Sequence, residues 1–464
     1  MTVELIAQLV DEVAEVSTVM RLLVNQVAAQ RGRAVPWVVD LSDDTAEKVI
    51  PLLDALGDVS DWGAAQLGEA YTQTLTAVQR AEGGVYYTPE GVADAMAWAA
   101  LSPRLGDRRQ VRVLDPACGA GIFLESAACV LSGRTHHIAP EVISSAVYGT
   151  DIDPVAVEIA KSALWLRSDG TRPITWLDGN ITCTDPLAGG TPPHLGIAPR
   201  HLVVIGNPPY KGHAGGAAPW IEARRRPGEN PSTRPSLDEF RDPASRGGNH
   251  LSSMAIYFWR WALWRCFEAR PGSGVVAFIT PASYLDGLSF ARMRRFIREV
   301  ADEGWLIDIS PEGHQPPIRS RIFPGVQIPL AITVLARRGA ADRTEPARLY
   351  HLKAEGTTQA KTQTIQAACA HIAKHSPPAQ EKETAVEHTF TQEGKGTKST
   401  LILTDLAGRA MLSITATSET PDISARLGID IEDASEMRRL ADAAAAIAAD
   451  MERRSGKAGE LARA

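Results

Sequence analysis

The chain has 464 residues and a formal net charge of −7, with 44% hydrophobic and 22% charged residues. This ordinary composition excludes a disordered or fibrous chain, and the length suggests more than one domain. No apolar run reaches the roughly 18 residues of a membrane span, so no membrane association is predicted.

The first segment and the cysteines predict a cytoplasmic protein. Residues 1–16 are acidic and amphipathic, unlike a secretory signal. The five cysteines are odd in number and form no C-x-x-C pair, which predicts reduced thiols. No metal site is predicted, because the only close histidine pair consists of adjacent residues.

The hydrophobic pattern divides the chain into three parts. Residues 1–80 carry apolar residues at near-helical spacing and predict a helical N-terminal region. Residues 81–345 alternate short apolar runs with amphipathic stretches, which predicts an α/β domain. Its seven candidate strands are 111–115, 146–153, 174–179, 201–207, 274–280, 305–310 and 329–337.

Residues 346–464 lack this alternation and predict a small α+β segment. Its predicted elements are a helix at 358–375, a hairpin over 398–417 and a terminal helix at 435–454.

Acidic residues follow the first three candidate strands: Asp115, Asp151 and Asp178. Because ligands bind at the carboxyl ends of strands in open α/β sheets, we expect these carboxylates at one edge. They would repel a phosphate but suit a positively charged ligand. Each could instead cap a turn or helix, a common role for Asp. Three carboxylates at successive strand ends, after a glycine-rich turn, favour a cationic nucleoside as the ligand, and S-adenosylmethionine fits this description.

The first of these carboxylates begins a glycine-rich turn, "DPACGAG". Gly119 and Gly121 allow close approach of the backbone to a ligand and a tight turn into a helix. The chain has no G-x-x-x-x-G-K-[ST], G-x-S-x-G or H-E-x-x-H motif. Other common cofactor and hydrolase sites therefore have no support in the sequence.

The fourth candidate strand ends in "GNPPY", residues 206–210. Pro208 and Pro209 remove two backbone donors and fix φ near −65° twice, so the turn is stiff. It holds the amide of Asn207, a main-chain carbonyl and the phenol of Tyr210 in a rigid frame.

"DPACGAGIF", "GTDIDP", "LDG" and "GNPPY", in this order, resemble the gamma-class adenine-N6 DNA methyltransferases. "GVYYTPEGVADAMAW" upstream and "RSRIFPGVQIPLAITVLAR" downstream extend the resemblance over residues 65–350. The similarity is strongest to the methyltransferase regions of single-polypeptide Type I restriction-modification enzymes and of phage-exclusion (BREX-like) systems. It implies a class I S-adenosylmethionine-dependent methyltransferase with a Rossmann-like, seven-stranded mixed sheet.

The resemblance also implies an activity. The chain would transfer a methyl group from S-adenosylmethionine to the N6 amine of an adenine flipped out of double-stranded DNA, at a specific site. It would act in restriction-modification or phage defence.

The resemblance assigns roles to individual residues. Those expected to bind the cofactor are Thr88 at the methionyl carboxylate, Asp115, Pro116, Gly119 and Gly121 at the amino-acid part, Asp151 and Ile152 at the ribose, and Asp178 at the adenine. In catalysis the Asn207 side-chain oxygen and the Pro208 carbonyl would accept the N6 hydrogens, with Pro209 holding them rigid. Tyr210 and Phe323 would stack on the target base, with a core residue before a strand as the alternative for Phe323.

Two alternatives remain open from the sequence. The NPPY motif also occurs in enzymes that methylate glutamine in release factors or guanine in ribosomal RNA. The first alternative is therefore a methyltransferase that acts on protein glutamine or RNA. The second is a non-catalytic DNA-binding subunit of a defence complex. The short segment 346–464 predicts a truncated target-recognition region or a surface for specificity or defence-system partner subunits. Basic clusters at 224–226 and 292–298 are candidate contacts to the DNA backbone.

Overall fold

The computed structural model describes residues 2–76, 88–102, 110–189, 201–241, 251–269, 273–338 and 346–375, together with four strands between 386 and 428. The chain divides into two compact units, residues 1–380 and 381–464. All of the predicted site residues lie in the first unit.

The first unit is built on a mixed sheet with helices on both faces. Its strands are β1 (Val111–Asp115), β2 (Val147–Asp151), β3 (Ile181–Cys183), β4 (His201–Gly206), β5 (Ser273–Pro281), β6 (Glu303–Asp308), β7 (Leu330–Arg337) and β8 (Arg348–Lys353). Its described helices are α1 (Thr2–Val13), α2 (Val16–Gln30), α3 (Asp43–Ala55), α4 (Ala64–Thr74), α5 (Glu90–Leu101), α6 (Ile122–Ser132), α7 (Pro140–Ala146), α8 (Pro154–Arg167), α9 (Pro219–Glu222), α10 (Met254–Leu263), α11 (Ala291–Val300) and α12 (Thr358–His375).

The strand order is β3-β2-β1-β4-β5-β7-β6-β8. Strands β1 to β5 pair in parallel, and β7 is antiparallel to both of its neighbours. The predicted Rossmann-like mixed sheet is thus confirmed, but among the described residues it has eight strands rather than seven. Because β1 to β4 run in one direction, their carboxyl ends lie along one edge, where ligands bind in such sheets.

The predicted strand at 174–179 is wrong. Residues Ile174–Leu177 form one turn of 3₁₀-helix, and the third strand of the sheet is the three-residue β3. The physical reason is the spacing of the apolar residues. Ile174 and Leu177 are both buried three positions apart, and this period matches a 3₁₀ turn rather than a strand.

The N-terminal helices pack against the sheet unit through small residues. Helix α4 contacts both α6 and α8. A Cβ placed on Gly68 would lie only 2.9 Å from the Cβ of Ala120, so the two backbones approach closely. The Ala64 N–H donates to Glu125 at 2.7 Å, and Glu125 forms a buried ion pair with Arg167 at 2.7 Å. These contacts tie α4 to the turn that follows β1.

The boundary of the C-terminal segment differs from the predicted one. Strand β8 pairs in parallel with β6 at the edge of the sheet, and α12 packs against α5. Residues 346–375 therefore belong with the sheet, and the division falls after Gln380. The helix predicted at 358–375 is confirmed, with the same bounds. Its Lys361 is fully buried and donates to the Ile309 carbonyl and to Glu312, both at 2.8 Å.

We expect Lys361→Met to lower the free energy of unfolding of the first unit by about 1–3 kcal/mol, because the buried Ile309 carbonyl loses its donor. Urea denaturation followed by tryptophan fluorescence measures this, since all ten tryptophans lie between 37 and 305. Lys374→Met, the same change at an exposed position of α12, is the control and should shift the midpoint little. Equal midpoints for the two variants would contradict the role of Lys361.

The second unit contains an antiparallel sheet with the order β12-β11-β10-β9. Its strands are β9 (Val386–Gly394), β10 (Thr397–Leu406), β11 (Arg409–Thr417) and β12 (Ile423–Gly428). The predicted hairpin corresponds to β10 and β11, which pair antiparallel, and is confirmed. The terminal helix predicted at 435–454 lies outside the described residues. Within the described part of the chain, no helix is both long and apolar enough to cross a bilayer.

Candidate active site

A cavity of about 360 Å³ opens at the carboxyl edge of β1 to β4. Its size falls within the usual range for small-molecule sites. Of the residues predicted to form the site, the cavity is lined by Thr88, Asp115, Pro116, Gly119, Asp151, Ile152, Asn207 and Pro209. The carboxyl edge therefore brings together residues that lie far apart in the sequence.

Asp115 is the most deeply buried carboxyl group of this cavity. Its side chain is 1% exposed, and Oδ1 accepts a hydrogen bond from the Ala117 N–H at 3.0 Å. Oδ2 is buried and has no hydrogen-bond partner among the described residues. Burial, reinforced by the charge of Asp151, raises the pKa of Asp115 well above its usual range. A buried acceptor without a donor is costly, so this oxygen is suited to a cationic donor from a ligand.

The glycine before the NPPY turn makes room for this carboxylate. A Cβ on Gly206 would lie 2.6 Å from Asp115 Oδ1, closer than real contacts allow. Only glycine therefore lets β4 pass beside Asp115. Gly206 directly precedes Asn207, so the carboxyl group of Asp115 lies next to the stiff NPPY turn.

Asp151 shapes the glycine-rich turn. Its Oδ2 accepts the Gly119 N–H at 2.8 Å, and its Oδ1 accepts the Asp153 N–H at 3.0 Å. Burial raises the pKa of Asp151 as well. Gly119 and Gly121 have φ of 51° and 88°, which glycine adopts without strain. A Cβ on Gly121 would lie 3.0 Å from the Ala160 backbone, so its role is close packing of the turn on α8, and it does not line the cavity.

Among the residues that the structure describes, Ile152 is an exposed large apolar residue, with 69% of its surface accessible. It follows Asp151 and faces the cavity. An exposed aliphatic side chain beside a carboxylate offers a surface on which a flat heterocycle can pack.

The structure does not place Asp178 with the other carboxylates. It follows the 3₁₀ turn rather than a strand, its side chain is 59% exposed, and it forms an ion pair with Lys161 at 2.7 Å. The expectation that it faces the same edge is therefore wrong. Asp185, two residues after β3, lines the cavity instead. The sequence holds one usable signal, because the Asp-Pro pair that follows β1 recurs at 185–186.

Asn207 is held at both ends of its side-chain amide. Its Nδ2 donates to Thr88 Oγ1 at 3.1 Å, and its Oδ1 accepts from the Tyr210 hydroxyl. Two prolines lie between Asn207 and Tyr210 in the chain. Pro208 is buried, whereas Pro209 lines the cavity. The predicted stiff frame therefore positions an amide that is hydrogen-bonded on both sides.

The two predicted stacking residues lie in the core. Phe323 is 3% exposed, and Tyr210 belongs to the same buried apolar cluster. Neither lines the cavity. This arrangement matches the alternative for Phe323, a core residue before a strand. A stacking role for either ring stays a prediction. Met254 and Phe258 of α10, which the sequence did not suggest, line the same cavity as Asn207 and Pro209.

Helix α4 also contributes to the cavity, which no pattern in the sequence indicates. The α4 residues in the lining are Ala64, Gly68, Tyr71 and Thr72. The Tyr71 hydroxyl donates to Asp153 Oδ2, and Asp153 caps α8 through the Val155 N–H at 2.9 Å. Burial, together with Asp153, raises the pKa of Tyr71, so the phenol remains a donor. Tyr71 thereby fixes the loop that carries Asp151.

S-Adenosylhomocysteine is the demethylated form of the cofactor that the sequence resemblance implies. We expect Tyr71→Phe to weaken its binding by about 3- to 10-fold, because one hydrogen bond that orders this loop is lost. Isothermal calorimetry measures the change. Tyr148→Phe is the matched control: that phenol is also buried and contacts the Ser144 carbonyl at 3.3 Å, but it does not line the cavity. Equal affinities for both variants would show that α4 does not support the site.

The arginines of the long loop are mostly paired with carboxylates. Among the described residues of this loop, Arg225 bonds Glu239 at 2.8 Å and Arg234 bonds Glu229 at 2.6 Å, with little exposure of either arginine. Such internal pairs hold the loop together. In the second basic cluster, Arg295 of α11 pairs with Glu299 at 3.0 Å, but its side chain is 78% exposed and so stays accessible for the predicted DNA contacts.

The parallel strands β1 to β5, with a cavity at their carboxyl ends, give the first unit the Rossmann-like architecture predicted from the sequence. A likeness to the DrdV–DNA complex supports the fold, with a TM-score of 0.51 at 17% identity over 70% of this chain and 34% of that one. The model of the N-6 DNA methylase family matches residues 63–227. The match begins just before α4 and includes the NPPY turn.

Two curated proteins are similar to parts of the chain. The Type II methyltransferase M.CvrRI of Paramecium bursaria Chlorella virus XZ-6E is 26% identical over 140 residues, 30% of this chain and 28% of that protein. The adenine-specific methyltransferase PglX of Streptomyces coelicolor is 25% identical over 197 residues, 32% of this chain and 16% of that protein. The chain thus matches less than a third of the length of either relative.

Proposed function

We propose that the chain methylates the exocyclic N6 amine of adenine in double-stranded DNA, with S-adenosylmethionine as the methyl donor. The observation that carries the proposal is the juxtaposition, in one cavity, of an unpartnered buried carboxylate oxygen on Asp115 and the side chain of Asn207. The first suits a cationic amino-acid group and the second an amine that is losing its planarity.

The residues of the cavity fit the cofactor. Asp115 Oδ2 lacks a donor, and the ammonium of an amino acid would supply one. Asp151, which lines the cavity, would hold ribose hydroxyls, and the exposed Ile152 would offer an apolar surface for a base. Asp185 takes the place along the edge that the sequence assigned to Asp178. When bound, S-adenosylmethionine supplies a methyl group activated by its sulfonium.

Asn207 would act on the nucleophile. The lone pair of the adenine amine is delocalised into the ring, and as the nitrogen attacks, its hydrogens gain positive charge. Fixed acceptors stabilise this change more than they stabilise the planar ground state, which is the requirement for catalysis. The Asn207 oxygen is one acceptor, and the Pro208 carbonyl is proposed as the other. Asn accepts at any physiological pH because its amide does not titrate.

The target adenine must leave the duplex to reach the cavity, at a cost of a few kcal/mol. Stacking on an aromatic ring offsets about 1–3 kcal/mol per base. Met254 and Phe258 line the same cavity as Asn207 and are candidates for this contact, alongside the predicted Tyr210 and Phe323. The match to the N-6 DNA methylase family model supports DNA as the substrate. Site specificity and the partner subunits that would provide it remain part of the proposal.

The test is methyl transfer from tritiated S-adenosylmethionine to three acceptors in parallel: PCR-amplified bacterial genomic DNA, total RNA and release factors. Amplified DNA carries no methyl marks and contains most short recognition sequences. We expect label on DNA, recovered after digestion as N6-methyladenine by mass spectrometry. Label on RNA or protein alone would contradict the proposal. If cofactor binds but nothing is labelled, a specificity subunit should restore transfer to DNA.

A further inference from the structure

The side-chain amide of Asn207 lies between two hydroxyl groups, those of Thr88 and Tyr210. A hydroxyl both donates and accepts, and an amide has one donating and one accepting end. The two hydroxyls alone would therefore be satisfied by either orientation of the amide. Only one orientation is useful, since only the oxygen can accept hydrogens from an amine.

Thr88 also faces the cavity. It is 4% exposed, lines the same space as Asp115, and accepts from Asn207 Nδ2 at 3.1 Å. Among the described residues, its own hydroxyl hydrogen has no acceptor. Asp115 lies at this end of the cavity, beside Gly206. An amino-acid group whose ammonium bonds Asp115 carries a carboxylate a few bonds away, and a carboxylate only accepts hydrogen bonds.

We propose that Thr88 is a positioning residue that lets bound cofactor select the orientation of Asn207. A carboxylate in the cavity takes the Thr88 hydrogen. Thr88 can then only accept from the amide, so it must meet Nδ2, and the oxygen is turned towards Tyr210 and the substrate. The catalytic acceptor is thus set before the target base arrives. This inference rests on the proposed function, because it assumes an amino-acid cofactor.

The hydrogen bonds that link Tyr210, Asn207 and Thr88 form a cooperative series. Tyr210 donates to the amide oxygen, the amide nitrogen donates to Thr88, and Thr88 donates onward to the carboxylate. Hydrogen bonds arranged head to tail strengthen one another in a buried site. The amide oxygen keeps a second lone pair for the amine, so the Tyr210 bond does not block it.

The test uses two ligands that differ at the carboxylate. S-Adenosylhomocysteine carries the amino-acid group, whereas 5′-methylthioadenosine has the same nucleoside thioether without it. Protein labelled with ¹⁵N-asparagine reports on the side-chain amides, and the Asn207 signal is assigned by its loss in Asn207→Ala. We expect S-adenosylhomocysteine to shift and sharpen the Asn207 signal and methylthioadenosine to leave it unchanged.

Two variants complete the experiment. Thr88→Val keeps the shape without the hydroxyl, and we expect it to lose the response to S-adenosylhomocysteine and about tenfold in kcat at saturating cofactor. Thr88→Ser should keep both. Failure of S-adenosylhomocysteine to bind the wild-type protein by calorimetry would overturn the proposed function itself. Binding without any response at Asn207, or an equal response to both ligands, would overturn this inference alone.

Discussion

Asn207→Ala is expected to lower the rate of methyl transfer by about 10²- to 10³-fold, the effect typical of removing one preorganised polar group that stabilises a transition state. The variant loses the acceptor for the N6 hydrogens and leaves the Tyr210 hydroxyl and Thr88 without their shared partner. None of these changes touches Asp115 or Asp151. The affinity for S-adenosylhomocysteine should therefore stay within a few-fold of the wild type.

The measurement pairs single-turnover transfer of tritiated methyl groups with calorimetry of S-adenosylhomocysteine. Asn230→Ala, the same change in the exposed loop, is the matched control and should retain wild-type rates. Near-normal transfer by Asn207→Ala would disprove the catalytic assignment. A parallel loss of cofactor affinity would instead assign Asn207 to the cofactor site.

Asp115→Asn is expected to change cofactor affinity and stability in opposite directions. A hydrogen bond between charged groups is worth about 1.5–3 kcal/mol, so S-adenosylhomocysteine should bind about 10- to 150-fold more weakly. The cofactor-free protein, however, should become more stable at neutral pH, because it no longer buries a carboxyl group whose charge has no partner at Oδ2.

The pH dependence follows from the raised pKa of Asp115. The folded protein holds this proton more tightly than the unfolded chain, whose Asp has a pKa of about 3.9. The wild type therefore loses stability as pH rises from about 4 through the raised pKa. The stabilising effect of Asp115→Asn should be absent at acid pH and grow as pH rises. Melting temperatures of both proteins across this range measure it, and a difference that does not vary with pH would contradict it.

Cofactor binding should also release a proton from Asp115, because the carboxylate that meets an ammonium must be ionised. Calorimetry in two buffers with different ionisation enthalpies detects this release, and Asp115→Asn should reduce it. Asp178→Asn is the matched control, since that carboxyl group does not line the cavity and forms an ion pair with Lys161. If Asp178→Asn weakened binding as much as Asp115→Asn, the cavity would not be the cofactor site.

The local features of the site could be predicted from the sequence. "DPACGAG", "GTDID" and "GNPPY" each combine an apolar run with a turn whose residues have few conformations, so the ends of β1, β2 and β4 were evident. Because parallel strands end at a common edge, Asp115, Asp151 and Asn207 could be brought together without coordinates. Their convergence on one cavity agrees with that reasoning.

Short elements and contacts between distant segments were decided only by the tertiary structure. Strand β3 has three residues, too few to show a period. The sequence therefore predicts the third strand at the stronger apolar run 174–179 and selects Asp178, whereas the structure has Asp185 at the cavity. Tyr71 looks like any residue of an amphipathic helix, and only the packing of α4 on α8 brings its hydroxyl to Asp153. The sequence thus determined which groups end each long strand. The fold decided which side chains from other elements complete the site, because such contacts depend on packing over distances that no local pattern records.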